Sequence, residues 1–240
     1  MVKQLPAPDV PVGVGPLVWG RGEEICSPAY WAAQSWMWEL DEPEHYRLGS
    51  SLEEEVLACL LGGYGIPAEI GLAAYQRLRV ELSRNHSSLT DADSVYFVLK
   101  QPILLNGRSV HYRFARQKSR YIAAALTGLE RIERGQNDRE LRDSLMELPG
   151  VGPKTASWIV RNWRQSDEVS ILDIHIMRAG RILGIFPQEW RVDRHYALLE
   201  RAYLQFARDI DTRASVLDSV MWMTMRRLGP AMIAALSRSV

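Results

Sequence analysis

Cysteine is scarce in this 240-residue chain, and long apolar runs are missing from it. Two cysteines, Cys26 and Cys59, are too few for a disulfide framework, a four-cysteine zinc site or a four-cysteine iron–sulfur cluster. No stretch approaches the roughly 20 consecutive apolar residues that a membrane-spanning helix needs. Residues 1–16 also lack the apolar core of a signal peptide. We therefore expect a cytoplasmic protein without membrane association.

An excess of one charge sign is lacking as well, because 29 basic residues balance 29 acidic ones. The two signs are nevertheless unevenly distributed. Residues 1–100 hold 7 basic and 14 acidic residues, whereas residues 101–240 hold 22 and 15. The basic second part suits a polyanionic partner, although a solvated basic face explains it equally well.

Alternating β patterns are nearly absent, whereas apolar residues recur at helical spacing from Pro28 onward. One example is the segment SLEEEVLACLL, which Ser50 or Ser51 can cap and which carries acidic residues in its first turn. One short β-hairpin is predicted at Asn106-Gly107. The sequence therefore predicts an all-α fold.

The most informative motif is the segment LMELPGVGPKTASWIV, which predicts a helix, a tight turn and a second helix. Gly150 and Gly152 allow positive φ and leave backbone N–H groups bare. The residues Gly150, Val151 and Gly152, together with the following helix N-terminus, can therefore hold a DNA phosphate without reading sequence. The alternative is an ordinary corner between two packed helices.

Lys154 and Asp173 are the candidate catalytic residues. Lys154 lies in the first turn after the hairpin, where the positive end of the helix dipole and partial burial both disfavour an ammonium. Asp173, nineteen positions later, precedes an amphipathic segment and can serve as its N-cap. Singly, the lysine reads as a phosphate contact and the aspartate as a cap. Together, after this hairpin, they indicate a nucleophile and an acid that meet across a cleft.

The segments LPGVGPKTA and LDIHIMR resemble the helix-hairpin-helix DNA glycosylase superfamily. Its bifunctional members place a lysine after the hairpin and an aspartate at this spacing. The resemblance implies that Lys154 attacks the deoxyribose C1′, displaces the damaged base and forms a Schiff base that undergoes β-elimination. It implies that Asp173 stabilises positive charge on the sugar and helps to deprotonate the amine. Relatives that only remove the base lack this lysine.

Two branches of that superfamily compete. The hairpin and the D-x-HI-x-R segment are similar to endonuclease III, which acts on oxidised pyrimidines and mostly ends in a four-cysteine iron–sulfur loop. The segments KTASWIVRN and ILDIHIMR are similar to the smaller prokaryotic 8-oxoguanine DNA glycosylases, as are HYRFARQKSRYIAAAL and LDSVMWMTMRRLG. Because two cysteines cannot hold that cluster, the resemblance favours the 8-oxoguanine enzymes and implies no metal or organic cofactor.

A flipped purine needs a flat face and hydrogen-bond partners in its pocket. Trp222 can supply the flat face and Asp218, one helical turn earlier, can accept from ring N–H groups, although a solvated role for Asp218 is equally open. His175, two residues after Asp173, is expected to project away from it and to be a structural or phosphate-side residue, with proton transfer as the alternative. Arg113, Arg116 and Lys118 belong to a basic stretch that can contact phosphates or the orphaned base, with a solvated helix flank as the alternative.

These elements predict a two-lobed helix-hairpin-helix architecture. Residues 50–165 are expected to form a central helical bundle that ends in the hairpin. A second helical lobe is expected to consist of residues 1–49 and 166–240. We expect residues 1–20 to form an irregular lead-in on the surface. The expected partner is double-stranded DNA with an oxidised base, bound by a monomer in a cleft between the lobes. The alternatives are an oxidised-pyrimidine enzyme without the cluster and a non-catalytic DNA-binding module.

Overall fold

A computed structural model describes residues 3–41, 47–63 and 65–237. Eleven α-helices and one two-stranded antiparallel sheet occur within these residues, which confirms the all-α prediction. In chain order the elements are α1 Pro28–Leu40, α2 Leu52–Leu61, α3 Ala68–Arg84, a 3₁₀ turn His86–Thr90, α4 Ala92–Leu99, β1 Ile103–Leu105, β2 Arg108–Val110, α5 Ala115–Leu129, α6 Asp138–Leu145, α7 Pro153–Arg164, α8 Ile174–Ile182, α9 Val192–Asp209, α10 Ala214–Arg227 and α11 Pro230–Leu236. None of the helices in the described ranges is long and apolar enough to cross a membrane.

Local signals set several of these boundaries. Ser51 caps α2, since its side chain accepts a hydrogen bond from the Glu54 backbone N–H at 3.2 Å. The turn between β1 and β2 has positive φ at both central residues, 49° at Asn106 and 76° at Gly107, as a two-residue hairpin of the predicted kind requires. Both features confirm the expectations from the sequence.

The chain divides into two compact units. Unit 1 comprises Met1–His45 and Gln165–Val240, and unit 2 comprises Tyr46–Arg164. In unit 2, helix α2 is central and contacts α3, α5 and α7, while α4 packs on α5 and α6 packs on α7. The core of unit 2 includes the fully buried Leu57, Leu78 and Ile122.

In unit 1, helix α10 contacts α1, α8 and α9 around a core that contains Trp31 and Tyr203. The N-terminal segment differs from the expected surface lead-in. Val12 and Trp19 are only 5% and 7% exposed and belong to this core. An antiparallel bridge between Pro11 and Val18 brings them there. The segment is therefore anchored by apolar burial, which its proline and glycine content concealed.

Candidate functional site

The predicted hairpin is present between α6 and α7. Gly150 has a φ of +82°, and a Cβ on it would lie 2.4 Å from Cγ of Tyr121. Only glycine fits there, because the backbone is left-handed and an aromatic ring lies directly against it. Val151 donates its N–H to the Leu148 carbonyl at 3.1 Å and buries its side chain. The turn is therefore tight and fixed from inside unit 2.

Gly152 does not use the positive φ that glycine allows. A Cβ on Gly152 would meet no atom within 4 Å, and its carbonyl accepts from Ala156 N–H at 2.9 Å as the first bond of α7. Gly152 is therefore the open side of the hairpin. Pro153 carries no N–H, so Lys154 and Thr155 supply the first-turn amides without an acceptor inside α7, and the helix dipole favours an anion beside them.

Lys154 is the second residue of α7 and is half-buried. Trp158 follows it by one helical turn, and its ring lies so close to Gly62 that a Cβ there would be 2.9 Å from Cη2. This contact places the Lys154 face of α7 beside the C-terminal end of α2. The amine therefore belongs to a helix whose position is fixed by packing.

A buried carboxylate fastens α2 to α7. Glu55 is fully buried, and it accepts hydrogen bonds from Leu48 N–H at 2.8 Å, from Gly49 N–H at 3.0 Å and from Asn162 Nδ2 at 2.8 Å. Cys59 lies beside it, with its Sγ 3.8 Å from Glu55 Oε1. Burial, reinforced by Glu55, raises the pKa of the Cys59 thiol well above its usual value, so Cys59 stays protonated and is a poor nucleophile.

Asp173 is the N-cap of α8, as expected from the sequence. Its Oδ1 accepts from His175 N–H at 2.8 Å and from Ile176 N–H at 2.9 Å. Both cap bonds end on the same oxygen, so the cap does not occupy Oδ2. Asp173 is half-buried and belongs to unit 1, whereas Lys154 belongs to unit 2.

Trp222 lies on α10 at 36% exposure, with Asp218 one turn earlier at 7% exposure. The alternative of a solvated Asp218 is therefore wrong. The His175 ring contacts Trp222 edge-on, with centroids 6.1 Å apart. Arg226 also lies over the indole, at 4.9 Å from its centroid. The four-residue spacing of Trp222 and Arg226 could have revealed the second contact, whereas no sequence signal indicated the first.

The three basic candidates lie at the start of α5 in unit 2. Arg113 and Arg116 are exposed, and each guanidinium lies over a ring, Arg113 at 5.1 Å from Phe114 and Arg116 at 4.7 Å from Tyr96. Lys118 is half-buried, and burial lowers the pKa of its amine. Among the described residues, no three His, Cys, Asp or Glu side chains lie close enough to hold a metal ion.

Solved structures of DNA glycosylases have the same fold. The 8-oxoguanine DNA glycosylase of Methanocaldococcus jannaschii is 21% identical and has a TM-score of 0.56, covering 81% of this chain and 92% of its own. The glycosylase/lyase of that organism in complex with a 15mer DNA containing 8-oxoguanine is 20% identical and has a TM-score of 0.53, covering 81% and 88%. A trapped endonuclease III–DNA covalent intermediate is 19% identical and has a TM-score of 0.52, covering 76% and 81%. The fold is that of the helix-hairpin-helix DNA glycosylases.

Sequence comparison narrows this class. A family described as 8-oxoguanine DNA glycosylase of the helix-hairpin-helix type matches residues 68–212, a range that contains both Lys154 and Asp173. The 8-oxoguanine DNA glycosylase/AP lyase of Metallosphaera sedula is 30% identical over 122 residues, which are 48% of this chain and 59% of that relative. The chain belongs to the helix-hairpin-helix 8-oxoguanine DNA glycosylase family. This confirms the resemblance to the 8-oxoguanine branch.

Proposed function

We propose that the protein is a bifunctional DNA glycosylase/AP lyase that excises 8-oxoguanine from duplex DNA and then cleaves the strand. The observation that carries the proposal is the lysine in the first turn of α7, directly after a tight hairpin, within a chain of this family. A phosphate-binding hairpin alone needs no such lysine. The proposed partner of the protein is duplex DNA with an oxidised base, which a monomer binds.

The hairpin supplies binding that is independent of sequence. Its open side, at Gly152, and the amides of Lys154 and Thr155 in the first turn of α7 suit one phosphate oxygen of the backbone. Arg113, Arg116 and Lys118 add positive charge on the same unit, for further phosphates or for the base opposite the lesion. Together these groups hold the duplex while the damaged base is turned out of the stack.

Lys154 is the proposed nucleophile. Its neutral Nζ attacks C1′ of the deoxyribose and forms a new C1′–Nζ bond. The glycosidic bond between C1′ and the base nitrogen breaks, and the base leaves with the bonding electrons and takes up a proton. The sugar ring then opens to a Schiff base between Nζ and C1′. Loss of a C2′ proton expels the 3′ phosphate and cuts the strand. Hydrolysis of the imine releases the lysine.

Asp173 is proposed to stabilise positive charge at C1′ and to accept a proton from the lysine. Because both cap bonds end on Oδ1, the second carboxylate oxygen can serve the sugar while α8 stays capped. For the extruded base, Trp222 offers a partly exposed indole, on which the Arg226 guanidinium already lies on one side, and the buried Asp218 offers an acceptor on the same helix. The contact of His175 with Trp222 holds the indole in one orientation.

Borohydride trapping tests the chemistry directly. The substrates are duplexes that carry one 8-oxoguanine opposite each normal base, beside a thymine glycol duplex. We expect a covalent adduct on 8-oxoguanine that Lys154→Gln abolishes and that Lys3→Gln retains, since Lys3 is paired with Asp211 in unit 1. An adduct on thymine glycol alone would assign the protein to oxidised pyrimidines. Binding without any adduct would leave a non-catalytic DNA-binding module.

A further inference from the structure

Helix α4 carries an exposed and a half-buried aromatic residue that the proposed chemistry does not use. Val95 and Leu99 bury one face of α4 in the core of unit 2. Tyr96 and Phe97 lie outside that buried face, and Phe97 is 60% exposed. Leaving an aromatic ring this accessible forgoes the stabilisation that burial would give it. The exposed ring is therefore accessible to a ligand.

Two cations lie over these rings. The Lys100 ammonium is 4.9 Å from the Phe97 centroid and 5.7 Å from the Tyr96 centroid, and the Arg116 guanidinium is 4.7 Å from the Tyr96 centroid. All three distances lie within the range of cation–π attraction. We call the residues Tyr96, Phe97, Lys100 and Arg116 the α4 platform.

Surfaces that alternate aromatic rings with cations bind unpaired nucleotides, because the bases stack on the rings while the phosphates pair with the cations. A protein partner fits less well, since lysine is depleted from the centres of protein interfaces. Bases inside a duplex are already stacked on each other, so a ring such as Phe97 serves only a strand that is locally unpaired. We propose that the α4 platform binds an unpaired strand of DNA.

The charge distribution along α4 determines at which end of the helix the phosphates of the strand bind. Asp93 lies one turn before Phe97, at the N-terminal end of the helix, whereas Lys100 follows its C-terminal end and Arg116 lies over Tyr96 in its middle. Phosphates are therefore held at the Lys100 end, with a base on Phe97. The inference rests on the proposed function only for DNA as the nucleic acid.

Fluorescence anisotropy with a labelled oligothymidine tests the platform. Phe97→Ala is expected to weaken binding about tenfold, because one stacked base is lost. Phe97→Leu keeps an apolar side chain but cannot stack, so it should weaken binding nearly as much. Lys100→Ala should reduce the slope of log K against log salt by about 0.7, as the loss of one single-strand phosphate contact predicts. Val80→Ala, a change at another exposed apolar residue of unit 2, serves as the control and should bind like the wild type.

Three results would overturn the proposal: no oligothymidine binding by the wild type, equal binding by Phe97→Ala and Val80→Ala, or wild-type affinity in Phe97→Leu. The last result would indicate an apolar contact without stacking. Borohydride trapping on a blunt 8-oxoguanine duplex should be unchanged in Phe97→Ala. If neither the wild type nor Phe97→Ala formed an adduct while oligothymidine binding persisted, the proposed catalysis would be contradicted and the α4 platform would still be supported.

Discussion

Replacing Gly150 with alanine should destabilise the protein far more than the same change at Gly152. At Gly150 the new methyl group meets a left-handed backbone, with φ at +82°, and an aromatic ring, with Cγ of Tyr121 only 2.4 Å away. At Gly152 the backbone is not left-handed and the methyl group meets nothing within 4 Å. The two substitutions are chemically identical and two residues apart, so each controls for the other.

The expected magnitude follows from two terms. A left-handed conformation costs a non-glycine residue about 1–2 kcal/mol. Forcing a methyl group against a packed ring costs about 1–3 kcal/mol. Gly150→Ala should therefore lower the free energy of unfolding by about 2–5 kcal/mol, which corresponds to roughly 4–20 °C in Tm for a chain of this size. Gly152→Ala restricts the unfolded chain without strain and should leave Tm within about 2 °C of the wild type.

Thermal unfolding, monitored by circular dichroism, gives the Tm of both variants. Tyr121→Ala completes a double-mutant cycle with Gly150→Ala. If the clash with the ring is real, combining Gly150→Ala with Tyr121→Ala should recover the packing term of about 1–3 kcal/mol and leave the backbone term. Equal melting of the two glycine variants would refute the reasoning. Strict additivity with Tyr121→Ala would refute the packing term alone.

Three further outcomes are expected. Asp173→Asn should keep Tm, because asparagine also caps helices, yet abolish the borohydride adduct, whereas Asp173→Ala should lose about 1 kcal/mol of stability as well. Burial lowers the pKa of the Lys118 amine below the usual lysine value of about 10.4, so duplex affinity measured by anisotropy should fall as the pH rises through that pKa. Protein stability should rise over the same pH interval, because the unfolded chain binds one more proton than the folded protein. Lys118→Arg should remove this alkaline fall in affinity. In urea unfolding, Glu55→Leu should lower stability by about 3 kcal/mol or more, since three donors lose their acceptor, and Glu55→Gln by less.

Much of the fold could be predicted because its signals are local. Ser51 caps α2 through its own side chain, and Asn106-Gly107 forms its turn through its own backbone preference. Each signal needs only residues within one turn, so the sequence carries it in full. The helical class followed from such signals repeated along the chain. The burial of Val12 and Trp19 did not follow, because it depends on residues far away in sequence.

The interior of the site was less predictable for the same reason. Glu55 reads as one of three acidic residues in a helix first turn, where solvent exposure and a dipole interaction would be expected. Its burial and its bond to Asn162, 107 positions away, are products of packing between α2 and α7. The contact of Tyr121 with Gly150 is likewise tertiary. Its sequence signal is only the glycine, which marks a constraint without naming the residue that imposes it.

The two candidate catalytic residues were identifiable because each stands at the start of a helix. Lys154 is in the first turn of α7 and Asp173 caps α8, so hairpin and capping rules fix both positions. The surroundings of Trp222 are assembled instead from α8 and α10, and no local rule links His175 to the indole. The proposed reaction chemistry therefore depends on locally encoded positions, whereas the proposed pocket for the base depends on packing. It follows that lesion preference should change more readily among relatives of this chain than the lysine chemistry, because substitutions in packed side chains can reshape the pocket without disturbing either helix start.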